Sequence, residues 1–362
     1  MLIYPTIKMA PIQGLTGFGG GANGYLTGAA AAPALYDFTT HTFTTGGATG
    51  KNGPAHSSLV SAYSPSWASN SNFFAQGDFQ GYQKWKVPQT AVYEFEVQGA
   101  GGGKHLYGEA SVSGSTFVPR GAIVTARLTL TAGDWIQLVV GQKGGDTTAS
   151  DASEGDNAAP GGGGASWVFV NTTDSLPLFV GGAGAGGTRN TYANANASTS
   201  NNGNNSQMNG ESGYSDKGLG GTGGNGGRRN DTGSSYWSGG GAGWLTNGTA
   251  GNQTTDYQYA AASGGESGEG GRNPDNGLIG GTRHNDGTDS GGDGGFGGGG
   301  GGSSDNAGTG GGAGYSGGAG GSSTPQNGAG GGGGSFATSS ATNVSISQAS
   351  YHGHGYIKIT KI

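Results

Sequence analysis

Trp85-Lys-Val-Pro-Gln-Thr-Ala-Val-Tyr-Glu-Phe-Glu-Val-Gln-Gly-Ala-Gly-Gly-Gly103 joins the two patterns that decide the fold. Between Val92 and Val97 the residues alternate. Val92, Glu94 and Glu96 fall on one face, and Tyr93, Phe95 and Val97 on the other, the period of a half-buried β-strand. At Gly99 the alternation gives way to glycine. Eighty-seven of the 362 residues are glycine, most of them in runs between Gly99 and Gly334 such as Gly297–Gly302 and Gly330–Gly334.

The runs keep no Gly-X-Y period and the chain has 11 prolines, which excludes collagen. They alternate with large side chains, Trp167, Trp244, Phe296, Tyr315 and Phe336, so the glycine is expected to be packed and the aromatics to anchor it. A glycine thread in polyproline-II geometry rises about 3.1 Å per residue with three residues per turn, so the six residues from Gly297 span about 19 Å. Ordering glycine costs roughly 0.5–1 kcal/mol per residue relative to alanine. Only a bundle that satisfies its backbone N–H and C=O groups between threads offsets that cost. The runs therefore predict a polyglycine-II bundle, with Trp244 a buried anchor inside it.

Strand patterns lie on both sides of the glycine. Tyr36–Phe43 is rich in β-formers and ends at Gly46-Gly47. Ile123–Leu130 alternates, Gly133-Asp134 marks a turn, and Trp135–Val140 reads as a buried strand. Ser166–Val170 and Leu176–Val180 flank a turn, and Tyr356–Ile362 alternates again. No stretch has the 3.6-residue period of a helix. The fold expected is all-β, an antiparallel sandwich whose last strand returns after a glycine-rich insertion. The segments are 1–35, an attachment or assembly segment short of core residues; 36–180, the sandwich; 181–335, glycine runs with polar loops; and 336–362, the strands completing the sandwich.

Composition narrows function. Charged residues make up 10% and the net charge is −6, with no basic footprint for nucleic acid or membrane. No apolar run is long enough to span a membrane. The absence of cysteine excludes disulfides, thiolate chemistry and cysteine-based zinc sites. Met1–Gln13 contains Pro5, Lys8 and Pro11 and lacks the apolar centre of a secretory signal peptide. Gly314-Tyr-Ser-Gly-Gly318 matches a nucleophile-elbow spacing but has neither the preceding strand nor the following helix. Asp146, Asp151, Glu154 and Asp156, like Asp286, Asp289 and Asp293, follow no calcium-loop spacing and read as solvated loop charge. His352 and His354 have no acidic partner nearby in sequence and read as structural. No catalytic constellation, metal site or cofactor site is expected.

The polar loops of the insertion, Thr188–Lys217, Arg228–Ser238, Thr246–Ser263 and Arg272–Asp289, are the candidate recognition elements. Two of them mix tyrosine with asparagine, serine and threonine, the composition of adaptable binding surfaces. The residues expected to bind a receptor are Tyr192, Tyr214, Arg228, Arg229, Tyr236, Trp237, Tyr257, Tyr259 and His284. Aromatic faces with a few directed hydrogen bonds suit glycans.

Several stretches together, Tyr36–Pro54, Trp85–Gly103, Gly133–Gly144, Gly161–Val170, Gly239–Trp244, Gly294–Gly302 and His352–Ile359, resemble the glycine-rich ectodomain of the anaplastic lymphoma kinase and leukocyte tyrosine kinase receptors. The resemblance implies a TNF-like jelly-roll sandwich fused to a polyglycine-II bundle. That family also has disulfides, a signal peptide, a membrane helix and a kinase, none of which is read here, so its receptor function is not carried over. A second, architectural resemblance is to the distal tail-fibre adhesins of T-even-like phages, whose variable loops on a polyglycine-II sandwich bind the host surface. The Gly14–Ala22 segment is similar to the N-termini of virion structural proteins of marine phages.

The function expected is a non-enzymatic virion surface protein, a tail-fibre tip or capsid appendage. It would bind a host glycan or outer-membrane protein and join other virion subunits through residues 1–35. The alternative is a structural subunit of an extracellular filament joined through that same segment.

Overall fold

The computed structural model describes residues 33–105, 117–149, 158–188, 190–208, 218–228, 237–250, 267–285, 289–304, 308–321 and 328–362. Along the chain the strands are β1 (Thr40–Phe43), β2 (Phe74–Gln76), β3 (Gln83–Lys86), β4 (Ala91–Gln98), β5 (Ala122–Leu130) and β6 (Trp135–Val139). They continue as β7 (Thr148–Ala149), β8 (Ser166–Phe169), β9 (Phe179–Gly181), β10 (Gln207–Met208) and β11 (Asp289–Ser290). The last four are β12 (Gly328–Ala329), β13 (Phe336–Ala337), β14 (Thr342–Gln348) and β15 (Tyr356–Lys361).

Two antiparallel sheets form the sandwich. One has the order β1-β15-β4-β5-β14, the other β13-β9-β8-β6-β3-β2. The C-terminal strand β15 inserts between β1 and β4, with Ile359 opposite His41 on one side and Phe95 on the other. The return of the chain after the glycine-rich insertion is thus built into the centre of a sheet. The alternation of β4 is kept: Tyr93, Phe95 and Val97 are buried, while Val92 is exposed and Glu94 and Glu96 are half-buried. These inward residues join Phe43, Val124, Ile357 and Ile359 of their own sheet. Facing them are Phe74, Trp85, Ile136, Leu138, Val168 and Phe179 of the other sheet. Phe95 and Phe179 meet at 5.0 Å between ring centroids.

The second sheet is buried on both faces. Its other side presents Tyr82, Val139, Trp167, Phe169 and Val180 to a second apolar cluster. Phe336 of β13 lies in the same cluster, and Trp244, Leu278, Phe296 and Tyr315 of the insertion supply the opposing side chains. All five aromatic anchors of the glycine runs therefore meet in one place. Trp167 and Trp244 lie 6.1 Å apart, and Tyr315 stacks on Phe336 at 4.4 Å. Trp244 is 2% exposed, as its position within a glycine run predicts.

Beyond this cluster the glycine threads bond to one another mainly through backbone. Gly310 N–H donates to Pro160 O and Ala313 to Gly163 O; Gly311 donates to Gly239 O and Gly314 to Ala242 O. Gly312 and Tyr315 donate to Gly331 O and Gly334 O. The thread Gly310–Tyr315 thus addresses three neighbours in turn, and the direction repeats every third residue. A Cβ would have no room: at Gly299 it would overlap the carbonyl oxygen of Gly162, and at Gly311 that of Gly318. The threads are not confined to the insertion. Gly99–Gly103, Gly141–Gly145 and Gly161–Gly164, which lie between sandwich strands in sequence, bond to it through contacts such as Gly163 to Gly184 and Gly145 to Asp293.

Three features differ from the sequence reading. A seven-residue helix, α1 (His56–Ala62), buries only Leu59 and is too short to show a helical period. Strands β2 and β3 span three and four residues, below the length at which alternation can be recognised. Strand β14 is an edge strand with six of its seven residues exposed, all but Ile346, so it lacks an apolar face to betray it. The segment 1–35 lies outside the described residues except for its last three; Leu35 N–H donates to Pro88 O at 2.8 Å.

Candidate recognition surface

The insertion runs back and forth between two ends. At the sheet end the chain reverses near Thr222–Asn225, Trp244, Pro274–Leu278, Phe296 and Tyr315, and four of these reversals place a side chain in the aromatic cluster. Leu245 N–H donates to Gly224 O at 2.7 Å, which brings the remaining one to the same end. The opposite end collects residues that flank several of the polar stretches. Ala149 pairs with Asp289, Met208 with Gly328, Phe117 with Thr188 and Leu219 with Arg228. Gly268 N–H donates to Trp237 O at 3.0 Å, Ser238 Oγ donates to Gly308 O, and Gly321 N–H donates to Thr309 O at 3.0 Å. The described thread ends flanking residues 209–217, 229–236, 286–288, 305–307 and 322–327 are thus linked to one another, whereas the polar loops that begin at Thr246 and Arg272 depart from the sheet end, beside Trp244 and Pro274.

Of the nine residues expected to recognise a receptor, four are described. Tyr192 is fully buried with Ala185, Ala195 and Ala329, and Phe117 packs against the group. Burial raises its phenol above the ordinary tyrosine value. Trp237 is 2% exposed at the start of its thread, with its backbone N–H directed at Ser267 Oγ. Both rings are buried, where the sequence reading expected them on a binding surface. Arg228 and His284 are half-buried. Arg228 lines a cavity of about 290 Å³ with Asn205, Thr222 and Asn225. His284 Nδ1 is 2.7 Å from Ser304 Oγ. Tyr214, Arg229, Tyr236, Tyr257 and Tyr259 lie outside the described residues.

The motifs weighed for chemistry have structural roles. Ser316, the centre of the Gly-x-Ser-x-Gly match, is buried, and its Oγ accepts the Gly224 N–H at 3.1 Å. His354 Nδ1 accepts the Lys143 N–H at 3.0 Å. Burial, with the Lys143 charge adding to it, holds that imidazole below the usual histidine value. Among the described residues no group of three or more His, Cys, Asp or Glu could hold a metal ion. Nor is any helix among them long and apolar enough to cross a membrane.

Over 112 residues, 31% of this chain, the sequence is 31% identical to the leukocyte tyrosine kinase receptor of Mus musculus. That stretch is 12% of the receptor's length. No model of a known protein family matches the chain.

Proposed function

We propose that this chain is a non-enzymatic recognition protein of a virion surface, a tail-fibre tip or capsid appendage. The platform at the far end of its glycine bundle would present the loops that bind a host glycan or outer-membrane protein. The observation that carries this is topological. The described ends of several polar stretches gather away from the aromatic cluster that anchors the bundle on the second sheet. Loops held by a rigid scaffold can vary in sequence without disturbing the fold beneath them. On this reading the threads are polyglycine-II helices, for which the three-residue recurrence of donor directions is the support. The sandwich is a TNF-like jelly roll, for which the partial likeness to the mouse receptor is the support. Residues 1–35 would join the protein to other virion subunits.

The test is binding of fluorescently labelled protein to a panel of bacterial cells. Arg228→Ala and Tyr257→Ala should keep wild-type thermal unfolding and lose binding. Val344→Ala, on the exposed edge strand of the sandwich, should change neither. Wild-type binding by the first two with loss in the third would move the site to the sandwich.

A further inference from the structure

Where the glycine bundle meets the sandwich, a cleft of about 520 Å³ opens between Asn52, Phe79 and Gln80 on one side and Arg272, Asn276 and Ile279 on the other. Its walls are held from both sides of the seam. Phe296 N–H donates to Gly50 O and Gly280 N–H to Lys51 O, both at 2.9 Å. Tyr82 Oη donates to Pro274 O at 2.8 Å and so fastens the turn that carries Asn276 to the second sheet. Within that turn Gly277 has φ 83° and Leu278 φ 53°. A non-glycine residue in the left-handed region is costly, and Leu278 is kept there by its complete burial in the aromatic cluster. The turn is therefore a fixed part of the wall.

The chemistry of the lining is specific. Phe79 is 38% exposed, a large ring left facing solvent at a junction that buries most of its aromatics. Its orientation is set by an edge contact with Tyr82, 5.4 Å between centroids, and by Gly277, where an added Cβ would stand 3.4 Å from Phe79 Cδ1. Around it are planar amides whose ends are already oriented. Gln80 Nε2 donates to Gly53 O at 2.7 Å, which leaves Oε1 as an acceptor. Asn276 Nδ2 donates to Asn273 Oδ1 at 2.6 Å and to Asn247 Oδ1 at 3.3 Å, which leaves its own Oδ1. The Asn52 side chain has no partner among the described residues, and no carboxylate lines the cleft.

We infer that this cleft is a saccharide subsite that takes one pyranose unit. Its axial C–H face would lie on Phe79, and its hydroxyls would meet the Asn52, Gln80 and Asn276 amides and the Arg272 side of the wall. A fixed aromatic face with a few directed polar groups in a concave site is what recognition of a neutral, hydroxyl-rich ring requires. An apolar ligand would leave the amides unpaired, which costs binding. The subsite lies at the sheet end of the bundle, on the first half of the Arg272–Asp289 loop, away from Arg228.

The experiment uses the full labelled chain on an array of bacterial-surface oligosaccharides, followed by titration of the best-bound spots. Phe79→Ala and Asn276→Ala should each weaken binding to a shared set of spots at least tenfold while unfolding at the wild-type temperature. Arg228→Ala should leave those spots unchanged. If neither cleft variant alters any spot, or the wild-type chain binds none, the subsite is overturned. Loss in Arg228→Ala alone would overturn it as well while leaving the platform reading intact.

Discussion

The two halves of this molecule solve the same problem with opposite materials. Between its sheets the sandwich excludes water with side chains: Trp85, Tyr93, Phe95 and Phe179 are fully buried there. The bundle excludes water with backbone. Its threads approach until carbonyl oxygen fills the space a Cβ would need, and most of its large side chains gather at the end that rests on the second sheet, with Tyr192 and Trp237 buried elsewhere. A side-chain core can relax around a change of shape, because rotamers adjust. A backbone core cannot, because its contacts are also its hydrogen bonds. Tolerance to substitution should therefore divide the molecule sharply.

The largest effect follows at the threads. Gly299→Val would drive a branched side chain into Gly162 O and Gly163 O. Overpacking alone costs about 1–3 kcal/mol. Each inter-thread hydrogen bond lost as the threads separate, Gly162 N–H to Gly300 O first, adds about 1 kcal/mol. Phe95→Leu, a change of similar bulk between the sheets, should cost less, within about 1.5 kcal/mol if the core repacks. Thermal unfolding of the two variants side by side measures the contrast. Equal shifts would mean that the threads are as pliable as the sandwich.

A smaller but still large effect lies on the seam, where the materials meet. Trp244 packs against Trp167 and Phe169, and its Nε1–H donates to Asp174 O at 2.9 Å. Trp244→Ala should cost about 3–5 kcal/mol, the usual range for emptying a buried indole site. It should also loosen the bundle from the sheet without breaking the inter-thread bonds. Hydrogen exchange at Trp167 and Val180 should rise while that at Gly311 and Gly312 stays protected; uniform loss of protection would show that seam and bundle unfold as one unit.

These contrasts also explain what the sequence could and could not reveal. The strands around Tyr93–Val97 and Ile123–Leu130 were legible because one face of each meets a side-chain core and the other does not. The anchors were legible because a tryptophan or phenylalanine amid glycine has no other neighbour of its size. Tyr192 and Trp237 carry the same signal, but their polar surroundings in sequence read as a binding loop. Only the fold shows that both are buried, Tyr192 against Ala185, Ala195 and Ala329. The cleft at the seam was illegible for another reason. Asn52, Phe79 and Asn276 are brought together by the packing of the bundle on the sandwich, and no local spacing records that.

The smallest effect separates the halves by pH. His41 sits among Phe43, Tyr63 and Trp67, with ring centroids 4.7–5.0 Å away, and its Nε2 has no hydrogen-bond partner. Burial lowers its pKa from 6.5 to about 4. The folded protein therefore binds the proton more weakly than the unfolded chain. The stability that neutral His41 contributes is fully present above about pH 6.5 and is lost progressively as the pH falls toward 4. The loss is on the order of 3 kcal/mol at most, since each pKa unit corresponds to about 1.4 kcal/mol. His56 is shifted in the same direction by burial and acts with the same sign. The backbone bonds between glycine threads contain no titratable group and should not respond. Denaturant unfolding at pH 7.5 and pH 4.5 should show the wild-type midpoint falling at the lower pH, with a smaller fall in His41→Asn. Hydrogen exchange at pH 4.5 should weaken at Phe43 and Ile359 before it weakens at Gly311. Equal acid sensitivity in His41→Asn would assign the effect to other groups, and earlier loss at Gly311 would reverse the order of stability drawn between sandwich and bundle.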